Sequence, residues 1–277
     1  MGRPIPAAGA SAVIAIVLLA LPVQTGAAAA DLQPGAIEGW RRYAAAVEAR
    51  RDTDLRLGRF LAADRDPSAA AARRALIGGQ TLVRRGTSRD LGNRSIDVPS
   101  ARVHHWHGAV FLPGATLDAL LRTLERDAPP TSQEVLRASV LQRGPSFIKV
   151  FLRIQRSRVV TVVYNTEHEV RFLRHGPTRA SSASVATRIA EVQNPGTPAE
   201  RELRPGQDRG FLWRLNAYWR YEAVAGGVIA ECESISLSRD IPFGLGSIAG
   251  PIISSTARES MERTLESIRR MGDSRGL

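Results

Sequence analysis

Residues 211–238, "FLWRLNAYWRYEAVAGGVIAECESISLS", place two tryptophans and two tyrosines in their first eleven positions, in a chain of 277 residues that is only 5% aromatic. Side chains alternate between the two faces of a β-strand. Phe211, Trp213, Leu215, Ala217, Trp219 and Tyr221 therefore share one face, and Arg214, Asn216, Tyr218 and Arg220 share the other. "AVAGG" supplies the turn of a hairpin. Two registers compete. With Tyr221 opposite Val228, the rings lie beside Ala230, Cys232 and Ser234, and Glu231 and Glu233 join Arg220 and Asn216. With Glu222 opposite Val228, both glutamates enter the aromatic face. The first pairs large with small and plus with minus and is preferred, although sequence leaves the choice open.

The same period of two runs through the preceding segments. "ARVHHWHGAVFL" (101–112) ends at Pro113-Gly114, and "EVLRASVLQR" precedes Gly144-Pro145. "SFIKVFLRIQR" sets Ile148, Val150, Leu152 and Ile154 against Lys149, Phe151 and Arg153. "VVTVVYNTEHEVRFL" puts Val160, Val162, Tyr164, Thr166, His168 and Val170 on one face, and "SASVATRIAEV" is a shorter, weaker strand. No crossover helices separate these runs, which excludes a parallel sheet and predicts consecutive antiparallel strands.

Helical periods lie at both ends. Residues 31–72 read as helix, with Trp40, Tyr43 and Val47 on one stripe, followed by a short helix near 68–76 and a short strand at "QTLVRR". "TLDALLRTLERDAPP" offers Thr116 as N-cap and stops before Pro129-Pro130. Ile253, Ala257, Met261, Leu265 and Ile268 recur every three or four residues in a long C-terminal amphipathic helix. Residues 194–209, "NPGTPAERELRPGQDR", read as a long loop, either a lid or a tolerated surface insertion.

"VHHWHGAVFLPG", "TVVYNTEHEV", "RIAEVQNPGTP", "GFLWRLNAYWRYE" and "ECESISLSRDIPFGLG" together resemble a bacterial group in the START-like (SRPBCC) superfamily, over about residues 100–272. That superfamily includes lipid-transfer START domains, polyketide cyclases and the major birch-pollen allergen. The resemblance implies an α+β helix-grip fold, a curved antiparallel sheet wrapped around the long C-terminal helix, with a ligand cavity between them gated by inter-strand loops such as 194–209. It implies no catalytic set, because the superfamily shares a cavity rather than a mechanism. The expected organisation is a signal peptide at 1–30, an N-terminal helical extension at 31–95, the helix-grip domain at 96–272 and a tail at 273–277.

In such a sheet the inward face is both core and cavity wall. The ligand-cavity candidates are Trp106, Phe151, Arg153, Tyr164, Trp213, Leu215, Trp219, Tyr221, Glu231, Glu233, Ile253 and Met261, with Arg153, Asn165 and the two glutamates as polar members. An isolated buried carboxylate is costly, so the glutamates need arginine partners or a place outside the cavity. His105 and His107 project to one face of their strand, and His168 or Glu167 are the available further metal ligands. This spacing is far less specific than a helical HExxH, and hydrogen-bonding histidines are the simpler reading. There is no GxSxG and no phosphate-binding glycine loop, while "GLGSIAG" lacks the Rossmann strand before it. The expected ligand is an apolar small molecule or lipid held without a cofactor and without catalysis; the alternatives are an enzyme of cyclase, hydratase or hydrolase type working in the same cavity, and a packed interaction domain with no ligand.

The net charge of +11 invites a nucleic-acid reading. Lys149 is the only lysine, and the arginines are scattered or paired rather than gathered in one stripe. Contact with an anionic membrane surface suits such a charge better, and a solvated basic face is the plainest account. Arg3, the apolar run "AVIAIVLLAL" and the small residues "TGAAAA" before Asp31 read as a secretory signal peptide cleaved near Ala30. The run falls short of the roughly 20 residues a spanning helix needs. A periplasmic or secreted protein is expected. Cys232, the single cysteine, excludes an intramolecular disulfide.

Overall fold

The computed structural model describes residues 31–65, 68–157, 161–240 and 246–275, apart from the side chains of 157, 246–257 and 273–275. Residues 1–30, read above as a signal peptide, and the last two residues lie outside the described residues. Four helices are present: α1 (Pro34–Arg56), α2 (Ala69–Ile77), α3 (Leu117–Arg126) and α4 (Gly246–Arg275). A 3-10 turn, Ala62–Arg65, follows α1. The strands are β1 (Leu82–Arg85), β2 (Ala101–Pro113), β3 (Val135–Gly144), β4 (Phe147–Ser157), β5 (Thr161–Arg174), β6 (Arg179–Gln193), β7 (Arg201–Glu202), β8 (Arg214–Val224) and β9 (Gly227–Arg239). They form one antiparallel sheet in the order β1-β2-β9-β8-β6-β5-β4-β3, with β7 beside β6.

This is the α+β helix-grip architecture. One face of the sheet curls toward α3 and α4, and the other is covered by α1, the 3-10 turn and α2. Helix α4 reaches the sheet at Gly108, where a Cβ would come within 2.6 Å of Leu265 Cδ1 and 2.8 Å of Met261 Cγ. A side chain there would have to displace the Leu265 and Met261 side chains from this contact. Thr116 caps α3 by accepting from the Ala119 N–H at 3.3 Å, which satisfies one of the orphan donors of a helix start.

Several details differ from the sequence reading. The first helix ends at Arg56 rather than running to 72, because the chain turns at Gly58 with φ of +71°, a conformation open to glycine. The weak strand near 182–192 is part of β6, at 15 residues the longest of the nine. Its pattern is broken by a register shift opposite Glu167/His168, which reverses the facing of residues beyond it. In the β8–β9 hairpin Tyr221 faces Ala230 and Ala223 faces Val228. Neither anticipated register holds, but the observed one lies two residues from the preferred one, so the same residues share each face. A two-residue loop with Gly226 at φ +82° makes that register the shorter closure.

Residues 31–95 lie against the sheet and supply its edge strand β1, which pairs with β2 from Leu82↔Ala109 to Arg85↔Trp106. Trp40, Tyr43 and Val47 of α1 pack on Tyr218, Ile235 and Leu237. Among the described residues no helix is long and apolar enough to cross a membrane.

A cavity on one face of the sheet and a polar network on the other

A cavity of about 620 Å³ lies between the curled sheet, α3 and α4. Alternation decides its walls. Ile148, Val150 and Leu152 come from β4, Val162, Tyr164 and His168 from β5, and Leu215, Trp219 and Tyr221 from β8. Met261, Ile268 and Met271 of α4 close it. The Trp219 and Tyr221 rings run nearly parallel, 5° apart in tilt with centroids 6.0 Å apart.

Of the candidate residues, Trp106, Tyr164, Leu215, Trp219, Tyr221 and Met261 line this cavity. The Ile253 side chain lies outside the described residues. Five others sit elsewhere. Phe151 and Arg153 occupy the opposite face of β4, as the odd positions of a strand whose even positions face inward. Trp213 precedes β8, so the strand alternation does not govern it. Its ring is buried with Trp40 and Ile235 under α1, and its Nε1–H donates to Asp208 at 3.0 Å. Glu231 and Glu233 also lie under the N-terminal segment, where burial can be compensated. Sequence reading passed over Glu134, Arg156 and Arg263, which line the cavity. Position 156 continues the inward parity of Ile148 to Ile154 and was legible, whereas the other two lie on distant elements.

The histidines, Tyr164 and Cys232 of the cavity wall are held neutral. Thr166 spends its hydroxyl proton on the Leu152 carbonyl (3.1 Å) and so accepts from His168 Nε2 at 3.0 Å. Ser238 likewise donates to the Arg239 carbonyl and accepts from His104 Nε2 at 2.9 Å. These assignments leave both Nδ1 atoms unprotonated. Burial pulls each imidazole down to about 4, with nearby Arg102 and Arg85 adding to the effect at His104. Such rings are hydrogen-bond acceptors but weak bases at neutral pH. The Tyr164 hydroxyl is buried without a partner among the described residues, and burial raises its pKa, keeping it protonated. The buried Cys232 thiol is likewise pushed up by burial and stays protonated.

One end of the cavity carries charge. Glu134 accepts from Arg156 Nη1 at 2.7 Å, from Arg263 Nε at 2.7 Å and from Ser260 Oγ at 3.2 Å. This cluster ties α4 to the β3–β4 side of the sheet, while Gly108 ties it to β2. The cavity spans the gap between the two attachments. Burial pulls the Arg156 guanidinium below the usual arginine range; Glu134 opposes that shift and Arg263 adds to it. Arginine stays charged all the same.

The other face of the sheet is filled by a polar network. Glu233 is met by Arg50, by Arg51 at 3.1 Å and by His105 Nε2 at 2.7 Å, with His107 Nε2 at 3.5 Å. Tyr43 accepts from the Ser88 N–H at 3.0 Å and bonds His105 Nδ1 at 2.9 Å, while His105 Nε2 faces Glu233 and donates to it. Burial alone would raise the Glu233 carboxyl, but the His105 bond and the two arginines outweigh it and hold it well below the usual range. Burial brings His107 down to about 3. Glu231 accepts from the Ala62 N–H at 2.7 Å, and its carboxyl is raised by burial. Arg220 donates to the Phe60 and Arg51 carbonyls at 2.6 and 2.8 Å.

The third donor beside His105 and His107 is thus Glu233, not His168 or Glu167, and the three ligand atoms lie within 4.8 Å of one another. His168 faces the cavity on the far side of the sheet, and Glu167 pairs with Lys149 at 2.9 Å. The arrangement does not fit a cation. Two guanidinium groups already neutralise the carboxylate, and His105 directs a proton at it. The 194–209 loop is anchored away from the cavity as well. Glu200 pairs with Arg153 at 2.7 Å, and Glu202 accepts from Asn165 at 2.8 Å. Only the residues just after it, Phe211 and Leu212, reach the cavity wall.

No family model matches the chain, and no curated protein matches it either. Among solved structures it is similar to a STAR-related lipid transfer protein from Xanthomonas axonopodis, at 18% identity over 60% of this chain and 96% of that one, with a TM-score of 0.36. A protein from Thermus thermophilus aligns at 11% identity over 62% and 97% of the two chains, with a TM-score of 0.41. The Zhui aromatase/cyclase from a Streptomyces species aligns at 12% identity over 63% and 91%, with a TM-score of 0.33. At these values the fold assignment rests on the strand order and the seat of α4 described above.

Proposed function

We propose that this chain is an exported, noncatalytic binding or carrier protein that holds a lipid or other apolar small molecule between the sheet and α4. The observation that carries this reading is the cavity of about 620 Å³, walled by Ile148, Val150, Leu215, Trp219 and Met261. Its size falls in the usual range for small-molecule sites, which are mostly apolar with a few placed polar groups. The weakly basic His104 and His168 favour holding a ligand over transforming it. Native mass spectrometry of the purified mature protein, followed by organic extraction, tests the reading. A defined co-purifying lipid or isoprenoid supports it; a protein that stays ligand-free and binds no long-chain amphiphile overturns it.

Export rests on Arg3, "AVIAIVLLAL" and the small residues before Asp31. Charged residues placed in that run are expected to trap the protein inside the cell, and continued export of the variant would sink the localisation. Many arginines are engaged within the fold, including Arg51 with Glu233, Arg73 with Glu222 and Arg209 with Glu191. We therefore assign the surplus charge to contact with anionic membrane surfaces during loading rather than to nucleic acid.

A further inference from the structure

We propose that the cavity is specific for an amphiphile with an anionic oxygen headgroup, a carboxylate or a phosphate monoester, bound at Arg156, Arg263 and Tyr164 with its chain running toward Trp219 and Phe172. The inference rests on the carrier reading above and adds the polarity and direction of the cargo.

The cavity is asymmetric along its length. At one end it is walled by Val170, Phe172, Leu124 and Met271; at the other by Glu134, Arg156 and Arg263. Asp127, Arg239 and Asp240 also line the cavity, but the cluster at this end centres on Glu134, Arg156 and Arg263. A single carboxylate, Glu134, is shared by two guanidinium groups. Glu259 approaches Arg263 only at 3.9 Å, where the two side chains are 36% and 40% exposed and the attraction is weak. Arg156 uses only Nη1 toward described acceptors, Glu134 and the Gln155 carbonyl. Its Nε and Nη2 remain for another acceptor, and a guanidinium edge matches a carboxylate or phosphate.

A second observation points to the same place. Tyr164 lies on the adjoining strand, where Ile154 faces Tyr164 and Arg156 faces Val162, so Tyr164 and Arg156 are diagonal neighbours on the cavity face. Its hydroxyl is buried, protonated and unpartnered among the described residues. A buried donor without an acceptor is costly, and an anion held by Arg156 would accept a hydrogen bond from it. An added anion also relieves the repulsion of two like charges in a partly desolvated site. A neutral headgroup would satisfy Tyr164 but leave the charge uncompensated.

The test compares decanoate, decyl phosphate and decanol, titrated into the full mature protein and read by calorimetry and by the fluorescence of Trp106 and Trp219. The expected result is that at least one anionic probe binds about tenfold or more tightly than decanol. Arg156→Gln and Arg263→Gln should each bring that ratio close to one while decanol affinity holds, and Tyr164→Phe should lower the anionic affinity roughly fivefold. Glu134→Gln frees both arginines and should raise the ratio, which a purely structural ion pair would not do. It also serves if either arginine variant fails to fold. Equal binding of all three probes would overturn the headgroup assignment and leave the carrier reading standing. Binding of none would remove both. Displacement of decyl phosphate by equimolar inorganic phosphate would assign the arginines to a free anion and also overturn the proposal.

Discussion

Strands β8 and β9 present opposite solutions on their two faces. On the inward side Leu215, Trp219 and Tyr221 line a cavity with Cys232 and Ser234 beside them. On the outward side Asn216, Tyr218, Arg220, Glu222, Glu231 and Glu233 are buried under α1 and α2. An uncompensated charge cannot be buried cheaply, so the outward face spends its polar groups on one another. The inward face of these two strands carries hydroxyls rather than charges, at Tyr221, Ser234, Ser236 and Ser238, and α4 spans it as a bridge held at Gly108 and Glu134. The difference teaches that in this molecule the charged residues cement the scaffold, while unfilled volume is reserved for the apolar side.

Four measurements would sharpen or break that contrast. Glu233→Ala strands Arg50, Arg51 and His105 in a buried site and should cost about 3–5 kcal/mol in chemical denaturation. A loss under 1 kcal/mol would mean that the network does not secure α1. Next in size is a pH effect at His168, whose folded pKa of about 4 lies below the usual histidine value near 6.5. Above pH 6.5 the ring is neutral in both states. As pH falls toward 4 the unfolded chain takes up a proton that the folded chain does not, so stability falls. His168→Gln should therefore lose about 2 kcal/mol less than the parent between pH 7 and pH 5. Parallel curves would refute a neutral, buried imidazole.

Trp219→Ala comes third. The ring borders open volume, so its loss should cost about 2 kcal/mol, below the 3–5 kcal/mol of a fully packed aromatic, while retained ligand drops sharply. Full retention would show that Trp219 is not part of the binding wall. Smallest is Arg153→Ala, which breaks a pair with Glu200 in which the partners are 20% and 32% exposed. It should leave stability nearly unchanged, because exposed ion pairs are screened by water and salt, and leave ligand binding untouched. A binding defect would return the 194–209 loop to the cavity.

How much of this was legible follows from particular residues. The facing of Trp219 and Tyr221 against Tyr218 and Arg220 was readable because the pleat gives every strand a period of two. The seat of the glutamates was not readable: the cost of burying charge asked for arginine partners or a place outside the cavity, and only the fold set Glu233 against Arg50 and Arg51 and Glu231 against the Ala62 N–H. Trp213 was misplaced because it stands just before the strand, where the backbone no longer alternates. The facing of residues beyond Thr187 was hidden by a register shift that no local pattern announces.

Local periodicity, caps and turns thus prescribed the elements, their antiparallel order and the two faces of each strand, since these depend on neighbours a few residues away. The choice of contents for each face belonged to the tertiary structure. Glu233 meets Arg50 across 183 positions of chain, and Glu134 meets Arg263 across 129. Such contacts arise from how the sheet curls and where α4 lands, and a one-dimensional pattern does not encode which distant side chains will share a buried volume.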